Sequence, residues 1–161
     1  MKKITCEYSY EILDRDELAF QEQEDLHWAT RARDEAETKV SGFGVGAFIR
    51  MNDDETAQGW NLENNVHTTL HAEKNAMGRI SDRGRKSGLK RVTVMGGPVG
   101  QESDVIVPPC GNCRQDLIEL WKPCTDPMII MAGTRGLITR IKLADLVPLL
   151  FDLDKYKSGK R

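Results

Sequence analysis

Three stretches read together decide the fold: LKRVTVMGG at residues 89–97, CGNCRQDLIELW at 110–121 and PMIIMAG at 127–133. The first and last are rich in apolar and β-branched residues and stop at glycines. The middle one repeats apolar residues at Leu117, Ile118 and Leu120 with helical spacing. Strand, helix, strand in that order is a βαβ unit, which requires a sheet with helices laid on its faces. Upstream, VGAFIRM and TAQGWNL flank the turn-forming run Asn52-Asp53-Asp54-Glu55, so residues 44–62 read as a β-hairpin. HAEKNAMGRI at 71–80 reads as a helix, and LITRIKLADLVPLLF at 137–151 adds a strand and a short closing helix. The class is α/β.

Further out, Ile4, Cys6, Tyr8, Tyr10 and Ile12 alternate with Thr5, Glu7, Ser9 and Glu11, the period of a half-buried strand or an ordered arm. From Asp16, ELAFQEQEDLHWATRARDEAET carries strong helix formers, acidic early and basic late, until Gly42 ends the helical stretch. The chain divides into an arm and helix packed on the core at 1–40, the core at 41–150 and a solvated basic tail at 151–161. At 161 residues these make a single domain.

The composition, 39% hydrophobic and 30% charged, is that of a folded globular chain. Lys and Arg number 23 against 25 Asp and Glu, so no overall positive field favours a polynucleotide backbone. The start breaks its apolar run at Glu7, and no later run approaches the roughly 20 apolar residues of a membrane span. Neither a membrane nor an export signal is expected, and the location expected is cytoplasmic.

Of the four cysteines, Cys110 and Cys113 sit three positions apart at a helix start, in Pro109-Cys110-Gly111-Asn112-Cys113. Side chains at that spacing share a face and both sulfurs reach one metal, while the helix N-terminus favours the thiolates that ligate it. The same spacing also suits a thiol–disulfide redox centre. Cys6 and Cys124 read as ordinary thiols. His71-Ala72-Glu73, at another helix start, supplies a third ligand in His71. A catalytic zinc site uses three protein ligands and leaves the fourth position to water, whereas a structural site takes four. Glu73 stands close enough to that opening to move protons without being a ligand. A zinc-stabilised binding module, with His67 as fourth ligand, is the alternative.

His-x-Glu paired with Pro-Cys-x-x-Cys is the signature of zinc-dependent nucleobase deaminases, and over about residues 41–150 the chain resembles the cytidine deaminase family. Phe43-Gly44-Val45-Gly46-Ala47 is similar to that family's Phe-x-Val-Gly-Ala and Asn61-Leu62-Glu63-Asn64 to its Asn-x-Glu-Asn. Cys110 to Gln115 is similar to its Cys-Gly-x-Cys-Arg-Gln, and Leu146-Val147-Pro148 to its late Leu-Leu-Pro. The resemblance implies a three-layer α/β/α fold around a central mixed, roughly five-stranded sheet. It implies one Zn2+ per chain on His71, Cys110 and Cys113, with Glu73 as the catalytic proton carrier. It further implies that Phe43 stacks on the pyrimidine, Asn61 and Glu63 bond the ribose hydroxyls, the backbone near Ala72 meets the base, and Arg114 tempers thiolate charge. The implied reaction is hydrolysis of cytidine, deoxycytidine or a modified cytosine nucleoside to the uridine-type product and ammonia. The implied partners are a small nucleoside and further copies of the chain, usually a homotetramer, with a dimer as the smaller choice.

The chain departs from the family in several places. A histidine ligand is typical of larger two-domain members, and the stretch from Asn64 to Leu70 is a residue short and lacks the usual tyrosine. His67, within it, reads as a pocket or subunit-contact residue, or as a spare ligand. Pro108 stands where Ser or Thr is common and keeps only the carbonyl. The polar, glycine-rich loop entering Cys110 reads as a solvated loop, with a lid as the alternative. These departures hold open a modified substrate, including a nucleoside antibiotic such as blasticidin S.

Overall fold

The computed structural model describes residues 3, 5, 7–66, 68–122 and 125–148. Cys6, His67, Cys124 and the 151–161 tail lie outside them. The elements are β1 (Tyr10–Leu13), α1 (Phe20–Asp34), β2 (Phe43–Met51), β3 (Thr56–Trp60), β4 (Leu62–Glu63), β5 (Thr69–Leu70), α2 (Ala72–Met77) and α3 (Asp82–Ser87). Then follow β6 (Leu89–Pro98), α4 (Gly111–Glu119), β7 (Met128–Ala132), β8 (Ile138–Lys142) and α5 (Leu143–Leu146).

The larger sheet runs β1-β8-β7-β6-β2-β3. Only β6 and β7 pair in parallel, the two strands that α4 connects; every other neighbouring pair is antiparallel. It is the mixed sheet expected, with five strands from β3 to β8 and a sixth added by the N-terminal arm. Alternation sorts the side chains. Ala47, Ile49 and Met51 of β2, Val92 and Val94 of β6 and Ile129 and Met131 of β7 form one core with α2 and α4. Phe48, Met95, Ile130 and Ile138 turn the other way, onto Leu26 and Ala29 of α1. Helices therefore cover both faces, giving α/β/α layers.

The N-terminal readings change in detail. The β1 pairing puts Glu11 opposite Arg140, whose Nε donates to the Glu11 carboxylate at 2.6 Å, and turns Leu13 toward the α1 core. Tyr10 and Ile12 project from the other face and are 56% and 58% exposed. The strand is ordered, but its apolar side is not the buried one. The helix also starts later than expected: Leu18, 3% exposed, anchors an extended break between a 3-10 turn (Arg15–Glu17) and α1. The Glu22 carboxylate accepts from the Ala19 N–H at 3.0 Å, a cap that fixes the start of α1.

The inward face of α1 is Glu22, Asp25, Leu26, Ala29 and Ala32. Small residues let it come close: a Cβ on Gly46 would lie 2.1 Å from the Ala29 carbonyl oxygen, so only glycine fits at that point of β2. Two further elements escape the sequence pattern. The pairing of β4 with β5, two residues on each strand, is too short to show a period. The short α3 is set by the Ser81 cap, whose side chain accepts from the Gly84 N–H, and not by apolar spacing.

Candidate metal centre

The end of β3 and the β4–β5 pairing fix one side of the site. Leu62 opposite Leu70 and Glu63 opposite Thr69 bring His71, the residue capping α2, beside Asn61 and Glu63. Asn75, one turn further along α2, donates to the Trp60 carbonyl at 3.0 Å and holds the helix to β3. The βαβ crossover fixes the other side: Cys110 is the N-cap of α4 and Cys113 lies in its first turn, fully buried. Lys74 of α2 pairs with Asp116 of α4 at 3.0 Å, bridging the two helices that carry the ligands.

His71 Nδ1 lies 3.4 Å from Cys110 Sγ and 3.3 Å from Cys113 Sγ, and all three ligand atoms fall within 4.8 Å of one another. A tetrahedral zinc with bonds of about 2.3 Å to sulfur and 2.0 Å to nitrogen spaces such N and S atoms roughly 3.6 Å apart, so the separations match. The donor set also calls for a cation. Burial, the neighbouring Glu73 carboxylate and Cys110 all push the Cys113 thiol far above its ordinary range, and a metal ion reverses that balance by taking the thiolate as ligand. His, Cys and Cys can thus coordinate a metal ion, and among the described residues no further His, Cys, Asp or Glu joins the cluster. A histidine nitrogen this near both sulfurs favours metal ligation over the redox reading of the cysteine pair.

Against the metal cluster lies a cavity of about 300 Å³. Phe43, Val45 and Val107 form an apolar wall, and Ala72 and Glu73, 1% and 4% exposed, lie at the end nearest His71 and Cys110. Pro108 also lines the cavity. Among the described residues, Glu63 and Glu73 are the acidic residues of the lining, and no lysine or arginine joins them.

Of the site residues expected from sequence, Phe43, Asn61, Glu63, His71, Ala72, Glu73, Pro108 and Cys110 line this cavity, Cys113 joins His71 and Cys110 in the metal cluster, and His67 lies outside the described residues. Arg114 turns away: its Nε donates to the Pro109 carbonyl at 2.8 Å and its Nη1 to the Leu146 carbonyl at 3.2 Å, tying the cysteine loop to α5. Asn61 lines the cavity, but its amide is engaged by β2, accepting from the Val45 N–H at 2.7 Å and donating to the Phe43 carbonyl at 3.0 Å. Glu63 accepts from the Val40 and Ser41 N–H groups at 2.8 and 2.9 Å and from the Ser41 hydroxyl at 2.5 Å. The Ser41 donors, hydroxyl first, hold its carboxyl below the usual carboxylate range. The loop after β6 is fastened at its middle to the β7–β8 turn, where the Ser103 N–H donates to Thr134 Oγ1 at 2.7 Å. Only its last residues, Val107 and Pro108, reach the cavity. Ser41, Val45, Thr69 and Val107 also line it without having been singled out in the sequence. Of these, only Ser41 gave a signal, a turn-type residue two positions before Phe43.

Residues 20–125 match the family model described as the cytidine and deoxycytidylate deaminase zinc-binding region. The chain is 32% identical over 124 residues to a cytidine deaminase of Halalkalibacterium halodurans, covering 76% of this chain and 88% of that one. It is 30% identical to a cytidine deaminase of Sporosarcina psychrophila, over 75% of this chain and 84% of the relative. Among solved structures, the cytidine deaminase of Burkholderia pseudomallei superposes with a TM-score of 0.66 at 26% identity, covering 83% of this chain and 100% of that one. The cytidine deaminase of Mycobacterium tuberculosis does so with a TM-score of 0.62 at 26% identity, covering 83% and 99%.

Proposed function

Because the chain belongs to the cytidine and deoxycytidylate deaminase zinc-binding family, we propose that this zinc-dependent aminohydrolase acts on the free nucleosides cytidine and deoxycytidine, giving the uridine-type product and ammonia. The observation that carries the reading is the joining of one cavity to the His71, Cys110 and Cys113 cluster with Glu73 buried between them. One Zn2+ per chain on those three ligands would supply a Lewis acid able to make water nucleophilic near neutral pH.

The chain's own groups do the rest. Glu73 takes a proton from the attacking water and delivers it to the ring nitrogen, and a second transfer to the exocyclic nitrogen lets ammonia leave from C4. Phe43 offers a flat apolar face to the pyrimidine, backbone groups near Ala72 meet its polar edge, and Pro108 lines the same cavity. Glu63 and Asn61 lie toward the sugar, where a carboxylate accepts from a hydroxyl. Two carboxylates, with no lysine or arginine among the described lining residues, favour an unphosphorylated nucleoside over a nucleotide.

The test is ammonia release by the purified, metal-analysed protein over cytidine, deoxycytidine, deoxycytidylate, cytosine and blasticidin S. The expected result is about one zinc per chain, with the two plain nucleosides turned over at the highest kcat/KM. Preference for blasticidin S or deoxycytidylate would reject the substrate proposed. We also expect a homo-oligomer, with a tetramer ahead of a dimer; a monomer mass by light scattering would refute that. No described helix is long and apolar enough to cross a membrane.

A further inference from the structure

Ser41 belongs to none of the motifs above, yet it touches two walls of the cavity at once. Its hydroxyl donates to Glu63 Oε1 at 2.5 Å and accepts from the Phe43 N–H at 3.0 Å. Its own N–H and that of Val40 converge on Glu63 Oε2. The local backbone makes this possible. Gly42 adopts φ +65°, which a side chain would disfavour, and its N–H closes a turn onto the Thr38 carbonyl at 2.9 Å, so that residues 40 and 41 point their N–H groups at one carboxylate. The Phe43 carbonyl is held in turn by Asn61 Nδ2. Both backbone polar groups of Phe43 are therefore gripped by side chains, and one of those grips is shared with Glu63.

We propose that Ser41 is a positioning residue that locks the Glu63 carboxylate in the orientation needed for a sugar hydroxyl and links that carboxylate to the aromatic wall at Phe43. The proposal rests on the reading of Glu63 as the sugar-facing group. With Oε2 taken by two N–H groups and Oε1 by one hydroxyl, the remaining lone pair of Oε1 has a fixed direction. Removing the hydroxyl frees that oxygen to turn and leaves the Phe43 N–H without its acceptor. The consequence falls on sugar recognition, and binding suffers more than chemistry, because the Ser41 hydroxyl bonds to Glu63 and Phe43 and not to the proton-moving Glu73.

The experiment compares wild type, Ser41→Ala, Ser41→Cys and Ser41→Thr on cytidine and on 2′,3′-dideoxycytidine, as substrate or, where turnover is slow, as competing ligand, with zinc content measured throughout. Ser41→Ala is expected to raise KM for cytidine about tenfold with kcat within about twofold, the effect of losing one hydrogen bond to a charged group. The dideoxy compound is expected to lose under about threefold, on the same estimate. Ser41→Cys, of similar shape but a weak donor, should behave like alanine, and Ser41→Thr should restore cytidine binding. In a Glu63→Gln background, Ser41→Ala should add little. Equal losses on both nucleosides, full multiplication of the two substitutions, or no change with either alanine or cysteine would each overturn the proposal. Failure of the wild type to deaminate any cytosine nucleoside is a separate result, and it would overturn the functional reading beneath it.

Discussion

Glu73→Gln is expected to bind zinc in the same amount as wild type and to lose kcat by about 10³-fold or more on every substrate the enzyme accepts. The magnitude is that of a group carrying general acid–base catalysis, about 10² to 10⁴, at the upper end because one side chain is asked to move two protons. Glutamine keeps the shape and a hydrogen-bonding oxygen in a position that is 4% exposed, so the fold should be intact. It cannot accept a proton near neutral pH. Single-turnover rates, zinc content and thermal unfolding measured on one preparation separate the cases. A Gln variant with zinc and more than about a tenth of the wild-type kcat would falsify the role given to Glu73. Loss of zinc would instead indicate that the carboxylate supports the metal ligands.

The second large effect concerns stability. Asp25, 1% exposed on the inward face of α1, receives Arg50 Nε and Nη2 at 3.0 and 2.5 Å on Oδ1 and Arg91 Nε at 2.6 Å on Oδ2. Arg50 and Arg91 are themselves buried, at 7% and 8% exposure, on the face of the sheet that α1 covers. Asp25→Ala leaves two guanidinium groups in a low-dielectric layer with their central partner gone, and is expected to destabilise the protein by about 3–5 kcal/mol in urea unfolding. Glu24 and Gln21 remain as lesser partners, to Arg50 and Arg91. The cost arises from the orphaned charges and not from the value of the pair itself. The triple replacement Asp25→Leu, Arg50→Met, Arg91→Met should therefore be less damaging than Asp25→Ala alone. A single-variant loss under about 1 kcal/mol, or a triple variant worse than the single one, would show that this cluster does not hold α1 in place.

This cluster also explains why the N-terminal third was the least legible part of the chain. A helix that turns Glu22 and Asp25 inward, beside Ala29 and Ala32, has almost no apolar stripe to read. Its inward face is intelligible only once Arg50, Arg91 and Arg140 are seen opposite it on β2, β6 and β8. The arm misleads in the opposite sense. Its apolar alternation is genuine, yet at the edge of the sheet the charged side meets α1 through Glu11 and Arg140, and Tyr10 and Ile12 remain outside.

The core and the metal cluster were readable because each depends on local rules. Period-2 alternation in β2, β6 and β7 and the i, i+3 cysteines at the start of α4 hold whatever surrounds them, and the pairing of His71-Ala72-Glu73 with Cys110 and Cys113 suffices to name the metal chemistry. The pocket's fine structure depends on contacts distant in sequence. That Asn61 is spent on the β2 backbone, that Arg114 ties Pro109 to Leu146, and that Ser41 clasps Glu63 follow from β3 and β4 folding back along β2 and from α4 packing beside α5. By itself the sequence determined which residue types can hold a metal ion. Only the tertiary structure decided which hydrogen bonds each polar side chain has left for a substrate, because burial makes every polar group take a partner, and that partner is chosen by proximity in space.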